Sequence, residues 1–443
     1  MVNRTSSAQA LLDRMEGLIG QGLIPAAMFH DQEIFELEKQ RIFSRCWILL
    51  AHESEIPEVG DYVVREIADN SIIVVRDENG DIRAHLNVCR HRGAQVCRSE
   101  MGNTSHFRCP YHGWVFQNTG KLIGVPRMRD LYGEQFDTSA WGLVSVRVET
   151  YAGLIFGNLD PHAEPLLEYM GGFEWYLDYY LKVSGEMEVY GPPEKFVVDA
   201  DWKIASENGC GDGYHTPSAH AFAFELGYFP SKAKTHGEGI TAYFPGRGHG
   251  LSLGRTPGLE RFPGFPEEIV RNIDRSFSPG QIEVFQDVRT HIGTMFPNLS
   301  MVSTVLSLEP GGKDYCRFWS IRIWHPLGPS KMQVISYCLV PRHASEAYKR
   351  ASYQVYRLAF GISGTFEQDD IEIWTTISPK YRGTAVRDMV FPYEIGRHET
   401  PLADFPGPGV VLGHFISERN LLNMWETWYR YMREPSATIQ GGA

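Results

Sequence analysis

Two cysteines and two histidines form two short clusters in the first third of the chain. Cys89 and His91 are separated by one residue, and Cys109 and His112 follow with two residues between them. Each cluster offers one thiolate and one imidazole, so the pair could hold a tetrahedral zinc ion or an iron–sulfur cluster. The chain has seven cysteines, an odd number that argues against a disulfide framework and favours metal binding for clustered cysteines.

The order of the residues within the clusters distinguishes these two kinds of site. Zinc fingers more often place both cysteines in one loop and both histidines in the other, whereas here each loop supplies one of each. This mixed order favours a [2Fe–2S] cluster of the Rieske type, with one iron on Cys89 and Cys109 and the other on His91 and His112. Two neutral imidazoles raise the reduction potential to roughly −150 to +300 mV, so such a cluster could accept electrons from a ferredoxin.

A second group of potential metal ligands lies in the middle of the chain. Asp212, His215 and His220 follow one another at spacings of three and five residues. On a regular helix a separation of three places two residues on one face, but a separation of five turns the second by about 140°. The two histidines therefore need a local distortion to converge, and Pro217 between them supplies a cause.

An acidic segment near the C-terminal end could complete this second site. Non-haem iron oxygenases bind Fe(II) with two histidines and one carboxylate on one face, and leave other positions open for dioxygen. The apolar residues within 366–374 indicate that the segment is partly buried. Local chemistry does not choose among its four acidic side chains, which are Glu367, Asp369, Asp370 and Glu372.

Together these motifs resemble the large catalytic α subunits of Rieske non-haem iron aromatic ring-hydroxylating dioxygenases. The resemblance rests on CRHRG at 89–93, CPYHGW at 109–114 and D-x-x-H-x-x-x-x-H at 212–220. Within the acidic segment, the family pattern F-E-x-D-D selects Asp370 as the carboxylate ligand. The chain departs from the family at Asp201, where relatives usually have asparagine before Trp-Lys.

The resemblance implies an oxidoreductase that depends on NAD(P)H through a separate reductase and ferredoxin. A Rieske [2Fe–2S] cluster on the two Cys/His pairs would pass electrons to a mononuclear Fe(II) ion on His215, His220 and Asp370. That iron would activate the co-substrate dioxygen beside a bound aromatic molecule. Iron would do the chemistry, and the protein would supply position and electrostatics.

The resemblance also implies an oligomer. In relatives, the aspartate that matches Asp212 joins the mononuclear site to the exposed Rieske histidine of a neighbouring subunit. Asp212 would therefore link His215 to His112 across a trimer interface. The assembly would be an α3 homotrimer, or an α3β3 complex with a small β subunit.

The family pattern places a mostly apolar wall around the iron, with Asp212, Asn208 and His291 taking part in catalysis. Gly211 and Gly213, together with a glycine at 209 where many relatives carry an aromatic residue, leave space for a large ring system. We expect cis-dihydroxylation of a bulky or polycyclic aromatic hydrocarbon. The expected pocket residues are Asn208, Gly209, His291, Trp324, Phe360 and Phe366.

Two other substrate classes compete with this expectation. The Gly- and Pro-rich stretch 228–265 could be a lid whose Arg247, Arg255 or Arg261 binds a carboxylated aromatic of the phthalate, terephthalate or salicylate type. The same iron centre could instead support monooxygenation or oxidative dealkylation. Other functional classes are a pure electron carrier that needs no Fe(II), and a binding module stabilised by zinc.

Charge and hydropathy exclude several partners. The net charge of −12 argues against nucleic acid and anionic membranes, and no stretch of about 20 apolar residues predicts a membrane span. The first thirty residues lack the apolar core of a signal peptide, so we expect a cytoplasmic protein. A basic run in this acidic chain could steer an acidic ferredoxin, and it contains Arg90, Arg92, Arg98, Lys121, Arg127 and Arg129.

The elements that must position these residues are readable in outline. Short β-rich runs at 62–66, 71–76 and 82–88 flank an Asn79-Gly80 turn, which predicts an antiparallel hairpin. A second strand-rich region runs from about 290 to 340, and helical patterns cover 344–360 and 418–432.

With 443 residues, the chain exceeds the size of a single average domain. We expect an α+β protein with an N-terminal antiparallel β Rieske domain at 40–160. A larger catalytic domain at 161–443 would have an antiparallel sheet covered by helices, with residues 1–39 forming a helical segment packed against it.

Overall fold

The chain folds into two compact units. The computed structural model describes residues 7–434 apart from 134, 184, 231–237, 257 and 259. The units divide between Ile42 and Phe43, and again between Leu166 and Leu167. The smaller unit is therefore one continuous stretch, and the larger unit is built from the segments on either side of it.

The N-terminal segment belongs to the larger unit. It contains α1 (Ser7–Ile19), β1 (Leu23–Pro25) and α2 (Gln32–Glu38). One face of α1 is buried because apolar side chains recur every three or four residues, namely Ala8, Leu12 and Met15.

A buried ionic cluster fixes this segment to two distant helices. Glu38 accepts hydrogen bonds from the indole nitrogens of Trp202 and Trp428 at 2.9 and 2.8 Å, and Lys203 Nζ lies 2.8 Å from its carboxylate. Asp201 lies 2.8 Å from the same Lys203 Nζ. Burial raises the pKa of Asp201 to about 7, although the Lys203 ammonium opposes that rise. Each of these side chains has at least one ion-pair or hydrogen-bond partner, which offsets part of the cost of its burial.

The smaller unit is made of short antiparallel strands. They are β2 (Ile48–His52), β3 (Asp61–Ile67), β4 (Asn70–Arg76), β5 (Ile82–Leu86), β6 (Met101–Asn103), β7 (His106–Arg108), β8 (Val115–Gln117), β9 (Leu122–Gly124), β10 (Ser145–Tyr151) and β11 (Leu154–Asn158), with one short helix, α3 (Met128–Leu131). Seven strands form a sheet in the order β2-β11-β10-β5-β4-β3-β6, and β7-β8-β9 form a second sheet.

The predicted hairpin is confirmed between β4 and β5. The Asp77 carboxylate accepts hydrogen bonds from the backbone N–H groups of Asn79 and Asp81 at 2.8 and 3.1 Å. Gly80 has a φ of +86°, a conformation that glycine adopts without a Cβ penalty. The turn chemistry therefore fixes the register of the two strands.

The larger unit contains the remaining strands and most of the helices. Its further strands are β12 (Met187–Val189), β13 (Glu194–Val198), β14 (Gly239–Tyr243), β15 (Gly250–Arg255), β16 (Val288–Met295), β17 (Leu299–Ser307), β18 (Tyr315–Gly328), β19 (Lys331–Pro341), β20 (Val390–Pro392) and β21 (Val410–Leu412). Its further helices are α4 (Leu166–Met170), α5 (Glu174–Leu181), α6 (Trp202–Gly209), α7 (Thr216–Ala219), α8 (Ala221–Glu225), α9 (Glu267–Val270), α10 (Ile273–Ser276), α11 (Pro279–Phe285), α12 (Glu346–Phe360), α13 (Thr365–Lys380) and α14 (Arg419–Arg433).

A nine-stranded antiparallel sheet organises the larger unit. Its order is β12-β19-β18-β17-β16-β15-β14-β21, and β13 also pairs with β19. Helix α12 packs on β18 and β19, α6 crosses β16 to β18, and α14 packs on β14 and β15. The α+β expectation of an antiparallel sheet covered by helices is confirmed. None of the helices in the described residues is long and apolar enough to cross a membrane.

The possible lid at 228–265 is contradicted where this stretch forms strands. Residues 231–237, 257 and 259 of this stretch lie outside the described residues. Within the described part, Gly239–Tyr243 and Gly250–Arg255 form β14 and β15, which are inner strands of the nine-stranded sheet. Inner strands are held on both sides by backbone hydrogen bonds, so they cannot open and close over a cleft.

Candidate active site

The two Cys/His loops of the smaller unit are closed in the same way. The N–H of Gly93 donates to the carbonyl of Cys89 at 2.9 Å, and the N–H of Gly113 donates to the carbonyl of Cys109 at 3.1 Å. Both glycines have a φ of +72°. Each loop therefore forms a tight turn, and the cysteine and histidine of one loop lie within the same turn.

The cysteines and histidines of the two loops differ in their exposure. Both thiols are buried, at 2% exposure for Cys89 and for Cys109. The half-buried His91 and His112 have ring centroids 4.5 Å apart, and His91 stacks on Trp114 at 5.0 Å. Two enclosed sulfurs and two more exposed imidazoles fit a Rieske [2Fe–2S] cluster, whose thiolate-bound iron would be enclosed and whose imidazole-bound iron would face outward.

A single zinc ion fits this set less well. Across the described residues, one group of three side chains has ligand atoms close enough to hold a single ion, and it consists of His215, His220 and Asp370. The two Cys/His pairs do not form such a group. A dinuclear cluster divides its four ligands between two metals, so its ligand atoms can lie farther apart than those that hold a single ion.

The second metal site is built at a break between helices of the larger unit. Helix α6 ends at Gly209, and Gly211 has a φ of +105°. His215 immediately precedes the short helix α7, and His220 immediately follows it. The distortion expected at Pro217 is instead located upstream at Gly211, because Pro217 lies in the first turn of α7, where proline is tolerated.

Helix α13 brings Asp370 to the two histidines. Oδ1 of Asp370 lies 3.6 Å from Nε2 of His215 and 3.3 Å from Nε2 of His220. One ligand atom from each of the three residues lies within 4.8 Å of the others. Two imidazole nitrogens and one carboxylate oxygen on one face are the donor set of a mononuclear Fe(II) oxygenase site, so the residues fit that metal.

Each histidine also has a carboxylate beside its second nitrogen. Asp212 Oδ2 lies 3.3 Å from Nδ1 of His215, and Asp369 Oδ2 lies 3.4 Å from Nδ1 of His220. Such acceptors orient a ligating imidazole and raise its basicity. The sequence reasoning anticipated Asp212 but missed Asp369, although its place directly before Asp370 was a signal.

The electrostatics of the site favour positive charge. Burial disfavours protonated His215, but Asp212 and Asp370 outweigh this effect and raise its pKa to about 9. Burial also disfavours the Asp370 carboxylate, yet His220, His215 and Arg322 hold its pKa below the usual value. Carboxylates that stabilise a protonated imidazole would also stabilise a divalent cation that replaces the proton.

A mostly apolar cavity opens beside these three residues. Five of the six expected pocket residues line it, namely Asn208, Gly209, Trp324, Phe360 and Phe366. Asp212 also lies in its wall. Further apolar lining comes from Phe224, Phe229, Ile292, Met301, Val302 and Phe415.

His291 does not reach the cavity, which corrects its expected catalytic role. Its strand neighbours Thr290 and Ile292 line the cavity wall in the described part of the chain, whereas His291 points to the opposite face of β16. There its ring packs 4.8 Å from that of Tyr180, and burial lowers its pKa to about 3. A neutral histidine on the far side of the sheet cannot exchange protons with a molecule in the cavity.

The glycines near the metal histidines do not leave open space. A Cβ on Gly209 would lie 2.9 Å from Thr294 Oγ1, and one on Gly213 would lie 2.7 Å from the ring of Phe415. A Cβ on Gly211 would meet the backbone of β15. These glycines permit close packing, so an aromatic side chain at 209 would disrupt α6 and the sheet rather than narrow the cavity.

The three arginines expected to bind a substrate carboxylate are elsewhere. Arg255 pairs with Asp287 at 2.7 Å and Arg261 with Asp274 at 2.7 Å. Within the described residues, the cavity wall contains neither of them, and Arg247 is absent from it as well. The expected anion site on Arg247, Arg255 or Arg261 is therefore not formed.

Two other arginines, which the sequence reasoning missed, do line the cavity. Arg322 is buried in an ion pair with Glu367 and lies against the rings of Trp324 and Phe360. Arg289 is 4% exposed and comes from the start of β16. Alternating strand patterns alone do not indicate which of two neighbouring residues faces a cavity.

Comparison with known families covers both units. Residues 46–151 match the Rieske [2Fe–2S] domain, and residues 169–406 match the catalytic domain of the ring-hydroxylating α subunit. These matched ranges contain every candidate ligand described above.

Individual relatives match over nearly the whole chain. The α subunit of N,N-dimethyl phenylurea N-demethylase from Sphingobium sp. is 34% identical over 96% of this chain and 94% of that protein. The α subunit of biphenyl dioxygenase from Paraburkholderia xenovorans is 32% identical over 97% and 95%. The crystal structure of naphthalene 1,2-dioxygenase from Rhodococcus sp., bound to indole, superposes with a TM-score of 0.93 at 42% identity, covering 97% of this chain and all of that one.

Proposed function

Because this chain belongs to the family of ring-hydroxylating oxygenase α subunits that carry a Rieske [2Fe–2S] domain, we propose that it cis-dihydroxylates a bulky or polycyclic aromatic substrate. The observation that carries the proposal is the convergence of His215, His220 and Asp370 on the wall of an apolar cavity. The names of the biphenyl and naphthalene dioxygenases among its relatives support the substrate class.

The protein residues have separable roles in this reaction. Dihydroxylation adds dioxygen, two electrons and two protons to the ring, and the bound iron and cluster would supply dioxygen activation and electrons. His215, His220 and Asp370 would hold the iron, and Asp212 and Asp369 would orient the imidazoles. Phe360, Phe366 and the other apolar side chains of the cavity would exclude water and hold the ring in place.

Product analysis with ¹⁸O-labelled dioxygen tests the proposal. Iron-loaded enzyme, supplied with a ferredoxin and a reductase, should convert naphthalene or biphenyl to a cis-dihydrodiol that carries two labelled oxygen atoms. A colourless purified protein would contradict the presence of the Rieske cluster.

Oxidative N-demethylation is a second candidate, favoured by the relative that bears this activity in its name. Insertion of one oxygen atom into an N-methyl group would release formaldehyde from an N,N-dimethyl phenylurea. Release of one formaldehyde for each monomethyl phenylurea formed, with no labelled diol, would identify this reaction.

The proposed electron donor is an acidic ferredoxin that docks on the basic residues near the cluster loops. Arg92, Arg98, Lys121 and Arg129 are exposed, whereas Arg90 is half-buried over the Trp141 ring at 5.5 Å. We expect the second-order rate of cluster reduction to fall roughly 10-fold between 50 mM and 300 mM salt, because salt screens exposed charges. Stopped-flow absorbance of the cluster measures this rate.

Matched variants identify the charges responsible. Arg98→Gln and Lys121→Gln together should flatten the salt dependence, whereas Arg342→Gln, an exposed arginine of the larger unit, should preserve it. A reduction rate that does not respond to salt in the unaltered protein would remove the steering proposal.

Ile292→Phe should narrow the cavity and change substrate preference. Ile292 is a half-buried cavity residue, and the added ring volume would project from a strand that cannot recede. We expect kcat/KM for a multi-ring substrate such as phenanthrene to fall at least about 10-fold relative to that for benzene. Competition between the two substrates gives this ratio directly.

Ile292→Leu is the matched control, since it keeps the side-chain volume and should change the ratio less than about 3-fold. Equal losses for both substrates in the phenylalanine variant would mean that Ile292 supports the fold rather than the size limit.

A further inference from the structure

Arg289 interrupts the regular alternation of β16. On the neighbouring strand β15, Gly254 pairs with Thr290 and Arg255 pairs with Val288, so Arg289 has no partner residue and forms a β-bulge. A bulge adds one residue to a strand and redirects its side chain, and such irregularities are common beside active sites.

The bulge turns Arg289 toward the cavity. Regular alternation would place its side chain on the same face as His291, beside Tyr180 and away from the cavity. Instead the guanidinium lies 5.3 Å from the ring of Phe229 and 6.0 Å from the ring of Phe224, and both rings line the cavity.

The hydrogen-bonding capacity of this guanidinium is largely unused. An arginine has five N–H donors. In the described residues, the Arg289 side chain makes one long hydrogen bond, from Nη1 to Thr256 Oγ1 at 3.4 Å, and Nε has no acceptor. No carboxylate of the described residues lies at ion-pair distance, and Glu238 attracts the cation only at longer range.

The other buried arginines of this sheet show what Arg289 lacks. Arg322 is neutralised by Glu367, and Arg317 donates to the carbonyl oxygens of Pro263, Arg289 and Val288. A buried cation without such acceptors is costly, since its donors have lost water and gained little in return. A molecule that occupies the cavity could provide what the protein does not.

We propose that Arg289 binds an oxygen acceptor on the substrate, a carbonyl or a carboxylate attached to its aromatic ring system. This inference rests on the proposed function, because it assigns the cavity to the substrate. Two rings in sequence, Phe229 and Phe366, lead from the guanidinium to His220, with centroid contacts of 6.2 and 4.8 Å. The acceptor therefore belongs on the part of the substrate away from the metal ligands.

Two kinds of substituent provide this chemistry. A carboxylate can accept two parallel N–H bonds from the planar guanidinium and also cancels its charge. The neutral carbonyl of an amide or urea accepts the same donors but leaves the charge in place. Both accept the same N–H donors, so the two are separated by experiment.

Binding of three matched probes tests the proposal. Naphthalene, 2-naphthamide and 2-naphthoate share one ring system and differ in the acceptor. Calorimetric titration of the iron-loaded enzyme in the absence of dioxygen gives each Kd without turnover. We expect one or both acceptor-bearing probes to bind at least about 10-fold more tightly than naphthalene.

Variants assign any preference to Arg289. Arg289→Met should weaken binding of the preferred probe roughly 10- to 100-fold and change the Kd of naphthalene less than about 3-fold. Arg289→Lys should keep part of the binding of 2-naphthoate, since it retains the charge but loses the planar fork. Arg255→Gln, whose guanidinium pairs with Asp287 outside the cavity, should leave all three Kd values unchanged.

The outcomes distinguish the sources and can overturn the proposal. Preference for 2-naphthoate alone identifies a carboxylate, and equal preference for the amide shows that a neutral carbonyl suffices. Equal Kd values for all three probes with the unaltered enzyme overturn the proposal, whether or not the Met variant folds. Loss of naphthalene binding in parallel with the other two in a folded Met variant also overturns it. Absence of any oxidised product, with the binding preference intact, would instead contradict the proposed reaction.

Discussion

Asp370→Ala is expected to abolish oxygenation while leaving the Rieske cluster assembled. Oδ1 of Asp370 faces both Nε2 atoms, so its loss leaves two imidazoles without the anionic ligand that balances a divalent cation. Turnover should fall by more than about 100-fold. This loss exceeds the roughly 10- to 100-fold loss that follows removal of a group that only orients a ligand. Metal analysis should show one fewer iron per chain, with the visible spectrum of the cluster unchanged.

Neighbouring acidic residues of α13 provide graded controls. Glu372→Ala alters an exposed carboxylate of the same helix and should change neither iron content nor turnover. Asp369→Ala removes the acceptor beside His220 and should weaken iron binding roughly 10- to 100-fold without abolishing it. Full iron content in Asp370→Ala, or its loss in Glu372→Ala, would mean that the carboxylate ligand has been misassigned.

Asp212→Asn is expected to separate metal assembly from electron transfer. The substitution keeps the side-chain shape but removes the charge 3.3 Å from Nδ1 of His215, and Asp212 lies outside the three-ligand set. Both metal centres should therefore assemble, while steady-state turnover falls by more than about 100-fold. The affected step should be re-oxidation of the reduced cluster after substrate and dioxygen are added. Stopped-flow absorbance of the cluster measures the rate of this step.

Asp369→Asn is the matched comparison for this second prediction. It alters the corresponding contact on His220 at nearly the same distance, 3.4 Å, but has no proposed place in the electron route. Its cluster should re-oxidise within about 10-fold of the normal rate. If Asp212→Asn retained rapid re-oxidation with a full complement of iron, the proposed link from His215 to His112 of a neighbouring subunit would be abandoned.

Local sequence rules predicted the parts of the fold that depend on neighbouring residues. The Asn79-Gly80 turn predicted the hairpin, because a positive φ at Gly80 and the Asp77 side chain fix that turn without help from the rest of the chain. The expected helices at 344–360 and 418–432 correspond to α12 and α14, and the buried residues of α12 recur every three or four positions.

His215 and His220 were predicted from their types and spacing and Asp370 from the family pattern, but the geometry of the three was not predicted. The spacing of His215 and His220 required a distorted helix, and the distortion depends on Gly211, which packs against β15. That contact joins residues about forty positions apart in sequence, so local propensity does not reveal it. The contact of Asp369 with His220 also depends on the approach of α13, although the place of Asp369 beside Asp370 was a local signal.

The cavity wall was the least predictable part of the site. One extra residue in a strand exchanges the two faces for every residue beyond it, and the bulge at Arg289 is of this kind. The family pattern placed His291 in the cavity, where Thr290 and Ile292 are found instead. Gly209 was expected to leave room for a large substrate. Side chains from β16 and β17 fill the space beside it, and their closeness depends on tertiary packing.

The buried contacts of Glu38 bear on how the protein is made. Glu38 meets Trp428 across 390 residues of sequence, and the whole smaller unit is synthesised between them. At roughly 5 to 20 residues per second, a ribosome needs about 20 to 80 s to cover that distance. During this interval α1 and α2 have no helix α14 to pack against, and their apolar faces are exposed to other nascent chains. Expression at lower temperature, or with a chaperone that shields the N-terminal segment, should raise the yield of folded protein more than stabilising the smaller unit would.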